Sequence, residues 1–157
     1  MRLAKTLLDK SLEWTCIVLL AVIAVDLLLG VFSRYVLART FVWYDEVARA
    51  CFMWLVFIGS AVAVRLRGHF GLNVLVELVP DPFKQAVLLI TPLTMIVFSG
   101  ALVRFGWDLT IHGASQSTAV IGMPMSWIYA SIPTGGLLIA YYALLLLFEK
   151  RDTKAHA

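Results

Sequence analysis

Polar and apolar positions in this chain segregate into long blocks instead of alternating. From about Leu12 to Phe32 only Glu13 and Asp26 carry a formal charge. From about Val42 to Val64 the charges Asp45, Glu46 and Arg49 crowd into the first two turns. After the Pro80-Asp81-Pro82 break, the chain stays uncharged from Gln85 to Val103 and then continues through Arg104 and Asp108 towards His112. From about Ser126 to Phe148 there is no formal charge. A spanning helix needs about 20 mostly apolar residues, because the hydrocarbon layer is about 30 Å thick and each residue rises about 1.5 Å. The pattern therefore predicts four transmembrane helices, at about 12–32, 42–64, 83–111 and 126–148, in one all-α integral membrane domain covering 1–157.

Between spans two and three, His69, Asn73 and Glu77 recur every four residues, with apolar residues filling the intervals. On a helix this is one narrow polar stripe against a broad apolar face, which suits a short amphipathic helix lying in the membrane interface at about 69–79. Phe70, Leu72 and Val74 also alternate like a strand, but a lone strand edge at the membrane would leave backbone groups unpaired. Helix is preferred.

Basic residues set the orientation. Arg2, Lys5 and Lys10 precede span one, Arg65, Arg67 and Lys84 separate spans two and three, and Lys150, Arg151 and Lys154 follow span four. The opposite side has only Arg34 and Arg39, with no Lys or Arg between His112 and Pro124. Both termini are expected to be cytoplasmic. The basic, apolar start resembles a signal peptide, but its apolar stretch exceeds the usual 7–15 residues or so and no small-x-small site closes it.

Composition narrows the class. Of 157 residues, 61% are hydrophobic and 15% charged, against roughly 45–50% and about 25% in soluble domains. Too few polar residues remain to clothe a soluble core. A net charge of +3, dispersed along the chain, is too mild for a nucleic-acid footprint, so the surroundings are membrane lipid. Cys16 and Cys51 fall at different depths and are expected to be unpaired. His69, His112 and His156 lie in a loop or helix end, at an outer boundary and in the tail, where they cannot face one another as haem ligands. Phosphate-cradling glycine loops, Cys-x-x-Cys pairs and serine nucleophiles with a nearby base are absent from the sequence. The expectation is a protein that is not an enzyme and holds no cofactor or metal.

The charges inside the spans need partners or water, since each costs about 2.5–3.5 kcal/mol at mid-helix on the insertion scale. Asp26, Arg49, Arg104 and Asp108 all fall in the outer half of the membrane. Glu46 and Arg49 are three residues apart and Arg104 and Asp108 four apart, so each pair shares a helix face. A transport path would need polar stations across the full depth, and the inner halves of the spans offer almost none. Mutual neutralisation and contact with a larger partner is favoured over a relay through Asp26.

Particular residues then carry a resemblance. Span two reads Glu46-Val47-Ala48-Arg49, followed by Phe52, Trp54, Phe57-Ile58-Gly59 and Ala61, and leads into Arg65-Leu66-Arg67-Gly68-His69-Phe70. The stretch before span four reads Gly122-Met123-Pro124-Met125-Ser126-Trp127, followed by Tyr129, Pro133 and Gly135. Together, with the same topology and size, these blocks resemble the small membrane subunit of a tripartite ATP-independent periplasmic (TRAP) transporter. The resemblance implies a multi-pass protein of the bacterial inner membrane that works with two partners. A periplasmic binding protein captures the substrate, often a carboxylate or sugar acid, and a large multi-span subunit carries the substrate and sodium sites. The small subunit packs against the large one as static scaffold. Asp26 lies outside both motif blocks and its role stays open.

The residues singled out also have simpler roles. Trp127 and Tyr129 suit interfacial anchors as well as partner contacts. Pro124 suits the first turn of span four. Pro133 should bend that span, while Gly135 and Gly136, and Gly59 with Ala63, suit close helix approach. The rival reading from another class is a self-sufficient homodimeric transporter with Asp26 as its coupling acid.

Overall fold

Uninterrupted leucine, valine and alanine runs, with proline confined to the ends or to single sites, are what lets this chain form long helices. The structure, a computed structural model, describes residues 2–39, 41–77 and 81–155, and the side chains of 6–39, 41–66 and 90–147. The helices are α1 (Arg2–Tyr35), α2 (Trp43–Glu77), α3 (Asp81–Gly113), α4 (Met125–Tyr129) and α5 (Ser131–Ala155). Among the described residues, four stretches are long and apolar enough to cross a membrane: Thr6–Tyr35, Trp43–Leu66, Ile90–Gly113 and Met125–Leu147.

The helices overrun the expected boundaries for physical reasons. α1 begins at Arg2 because nothing before Leu12 breaks a helix, and Leu, Lys and Ala there are good helix formers. α2 runs on to Glu77 as one helix of 35 residues, about 52 Å long at about 1.5 Å per residue. The separate interfacial helix expected at 69–79 is thus a continuation of α2. Gly68 and Gly71 each weaken a helix by only about 1 kcal/mol and do not stop it. Residues 78–79 and the side chains that would form the polar stripe lie outside the described residues. The next helix starts at Asp81, just beyond Pro80. Pro92 lies inside α3, a ladder gap that the hydrophobic pattern does not reveal.

Span four is broken near its start. Pro133 has no N–H to offer the Tyr129 carbonyl, so α4 ends at Tyr129 and α5 begins at Ser131, with Ala130 between them still near right-handed helical at φ −59° and ψ −20°. Pro124 sits just outside the helix as its N-cap, with φ −59° and ψ 130°, one position before the expected first turn.

The helices form an open row, not a closed bundle. Among the described residues the α1 backbone approaches only α2, α2 lies between α1 and α5, and α5 lies between α2 and α3. The spatial order is α1, α2, α5, α3. Core residues Ala61, Ile139 and Tyr142 are flanked by Leu12, Val64, Leu102, Leu138 and Leu145, so every span contributes to one small cluster. Glycines set the row's spacing. A Cβ on Gly135 would stand 2.5 Å from the Phe57 Cβ, and one on Gly106 2.7 Å from Ile132. A Cβ on Gly136 would stand 3.0 Å from Val103. Gly59, by contrast, has nothing within 4 Å, and the close approach expected there is made instead by Phe57 against Gly135.

Gly135→Val should therefore force α2 and α5 apart. Overpacking of this kind costs about 1–3 kcal/mol, and the expected outcome is a lower thermal midpoint of the purified protein, with Gly59→Ala close to neutral as the control.

Candidate functional site

At the end of the row away from the termini, the loop between α3 and α4 folds back on itself. Thr118 N–H donates to the Met123 carbonyl at 2.9 Å, Met125 N–H to the Gln116 carbonyl at 2.9 Å, and Ser117 and Pro124 form a lone antiparallel bridge. The Thr118 hydroxyl accepts from Met123 N–H at 3.0 Å. Gly122 closes the turn at φ +71°, a left-handed conformation that suits glycine. The turn's tip leaves amides without partners on its own strand. Glu46, in the first turn of α2, takes two of them: Val120 N–H donates to Oε1 at 2.8 Å and Ile121 N–H to Oε2 at 2.9 Å. A carboxylate there also complements the positive end of the α2 dipole. A second tie lies a little deeper, where the Trp54 indole N–H donates to the Trp127 carbonyl at 3.2 Å. These contacts join the two motif blocks that are more than seventy residues apart in sequence.

Glu46 is therefore not the partner of Arg49. Among the described residues Arg49 forms no ion pair. It is exposed, at the edge of a cavity of about 200 Å³ that it shares with Glu46, Thr118 and Ile128. Arg104 and Asp108 do pair along α3, and their side chains are 71% and 47% exposed. They point away from α5, because Gly106, between them in sequence, faces Ile132 and Pro133. Asp26 is buried between α1 and α2 and pairs with neither arginine. Trp127 is exposed through its ring, whereas Tyr129 packs on Gly113 at the end of α3, where a Cβ would stand 2.6 Å from the ring. The eight residues thus fall into separate places. Glu46 and Pro124 shape the loop, Tyr129 packs, Asp26 is buried, and Arg49, Arg104, Asp108 and Trp127 face outward.

At the termini end the structure reveals a cluster that sequence reasoning did not assemble. Arg65 on α2 forms ion pairs with Asp9 at 3.3 Å and with Glu13, both on α1. The Tyr142 hydroxyl on α5 donates to Asp9 Oδ1 at 2.6 Å. This is the polar link from α1 to α5, whose backbones do not approach one another. The available signal was the spacing of Asp9 and Glu13, four apart on one face of α1, with Arg65 at the same end of its span. Cys16 and Cys51 are both free thiols.

Two substitutions separate the ends of the row. Glu46→Ala should release the loop, so that limited proteolysis between Ser117 and Gly122 accelerates several-fold, with Glu46→Gln intermediate because one amide oxygen can still accept. Tyr142→Phe should leave the loop unchanged and lower stability by about 1 kcal/mol, the usual worth of one such bond.

Comparison with known proteins identifies the family. Residues 23–153 match the family described as tripartite ATP-independent periplasmic transporters, DctQ component. The small permease protein SiaQ of a sialic acid TRAP transporter from Vibrio cholerae is 22% identical over 149 residues, covering 95% of this chain and 86% of that protein. The small permease protein DctQ of a C4-dicarboxylate TRAP transporter from Rhodobacter capsulatus is 28% identical over 109 residues, 68% of this chain and 48% of that protein. The sialic acid TRAP transporter permease protein SiaT of Haemophilus influenzae is 25% identical over 134 residues, which are 85% of this chain but 22% of that longer protein. The family is one of transporter subunits, not of enzymes. With four helices fit to cross a membrane, and with the family match covering most of its length, this chain belongs to the small permease (DctQ) component of the TRAP transporters, multi-pass proteins of the bacterial inner membrane.

Proposed function

We propose that this chain is the static scaffold of its transporter. It packs against a large, sodium-coupled permease subunit and supports uptake of a carboxylate or sugar acid delivered by a periplasmic binding protein. The observation that carries the reading is the open row with charges exposed inside its spans. Arg49, which forms no ion pair among the described residues, and the outward-facing Arg104–Asp108 pair would be costly against lipid and are accommodated by protein contact. The relative SiaT supports the same view, since a segment similar to this chain forms part of a much longer permease. The relatives' sialic acid and C4-dicarboxylate substrates are both carboxylates, which is the class expected here.

In this reading the chain holds no cofactor and no coupling ion; sodium belongs to the large subunit. The basic residues flanking the spans support cytoplasmic termini and a periplasmic Glu46-bound loop. Lipid covers the apolar surfaces that the large subunit leaves free, and the terminal part of α2 rests at the cytoplasmic interface. The buried Asp26 favours one second reading, a self-sufficient homodimer with that acid as its coupling group.

Purification from native membranes decides between them. The scaffold reading predicts co-elution with a multi-span permease much larger than 17.5 kDa, and self-association alone would contradict it. Arg49→Ala should lower the yield of that complex and Arg49→Lys should restore it only in part, because a planar guanidinium can bind a carboxylate through two bonds and an ammonium cannot. In a background without Cys16 and Cys51, Gln116→Cys should react with an impermeant thiol reagent on intact spheroplasts. Lys154→Cys should react only after permeabilisation.

A further inference from the structure

Asp26 is 5% exposed, and its Oδ2 has no hydrogen-bond partner among the described residues. It lines a cavity of about 270 Å³ between α1 and α2, together with Gly30, Arg34, Tyr35, Tyr44 and Asp45. The charged groups around this space are two carboxylates and one guanidinium, leaving one negative charge in excess. Arg34 does not cancel Asp26. It stands eight residues further along α1, about 12 Å by helical rise, and the two form no ion pair among the described residues. Gly30 keeps the space open between them, with the Tyr44 ring as the nearest neighbour of any added Cβ, at 3.8 Å.

A buried carboxylate with no donor is unfavourable, and a cation that brings its own hydrogen bonds relieves it. The depth of Asp26 selects the source of that cation. It lies nine residues inside the end of α1 at Tyr35, about 13 Å along the helix, where charge is carried by side chains of helices in the same membrane. The cavity is roomy enough for the head of a long side chain, and Tyr35 and Tyr44 are among the residues that line it. Resting on the scaffold reading above, we infer that this cavity seats a lysine or arginine side chain of the large permease subunit. Asp26 is its counter-ion and Asp45 stands at the rim. The site is then a polar key between the two subunits, distinct from the outward-facing Arg49 and from the Arg104–Asp108 pair on the opposite edge of the row.

The test uses the intact complex in membranes. A photoreactive benzoylphenylalanine replacing Tyr35, which is 79% exposed, should crosslink to the large subunit, and the crosslinked peptide should contain a lysine or arginine. Asp26→Asn, nearly isosteric, should reduce recovery of the complex about tenfold while the isolated small subunit keeps its membrane level and thermal midpoint. Asp26→Glu should recover most of the yield. Exchanging charges, with Asp26→Lys against an aspartate at the mapped partner position, should restore assembly. Crosslinks only to lipid or to a second copy of this chain would overturn the inference, as would full assembly of Asp26→Asn. If the unsubstituted chain fails to co-purify with any large permease, the scaffold reading itself falls; an intact complex indifferent to Asp26 removes only the key.

Discussion

One carboxylate organises the loop end of this protein. Glu46 accepts backbone N–H groups from Val120 and Ile121, one on each oxygen. A tight turn at a membrane surface has amides that its own hydrogen bonds cannot satisfy, and leaving them unpaired beside lipid is unfavourable. By taking them, Glu46 ties the start of α2 to the entrance of the fourth span. It thereby sets where Pro124 begins that span and where Trp127 presents its carbonyl to Trp54. The glycine contacts lower in the row, Gly135 on Phe57 and Gly106 on Ile132, require the same registration of α5 against its neighbours.

The opposite end is held by different chemistry. Arg65, Asp9, Glu13 and Tyr142 connect α1, α2 and α5 through side chains, because the backbones of α1 and α5 are too far apart to pack. Between the two ends the row encloses little: six hydrophobic residues are buried among the described ones. A row filled so sparsely depends on its two ends for its shape. Interhelical contacts in lipid lack a hydrophobic driving force of their own, so small-residue packing and a few hydrogen bonds must suffice.

Much of the fold was legible in the sequence. The four spans, the bend at Pro133 and the close approach at Gly135 and Gly136 follow from hydrophobic run length and from backbone chemistry local to each residue. What was not legible depended on distance. Glu46 and Arg49 share a helix face three residues apart, yet the carboxylate turned to loop amides some seventy residues away, because two backbone donors outcompete one flexible side chain. Gly59 looked like a packing face, but the row brings Phe57 to the crossing instead. The continuity of α2 past Leu66 escaped because Gly68 and Gly71, which look like a break, weaken a helix without ending it. The Asp9–Arg65–Tyr142 link was hidden because its members read individually as ordinary flanking polar residues. The motif blocks around Glu46 and Gly122 were visible as a family pattern, and their meeting in space supplies the physical reason they occur together in this chain.

The central claim is that Glu46 holds the loop by its amides, and amide hydrogen exchange of the purified, unsubstituted complex reads those groups directly. Val120 and Ile121 should exchange far more slowly than Ser115 beyond the end of α3, whose N–H has no acceptor among the described residues, since a charge-assisted bond must open before each can react. Exchange of Val120 and Ile121 at the rate of free loop amides would contradict the account.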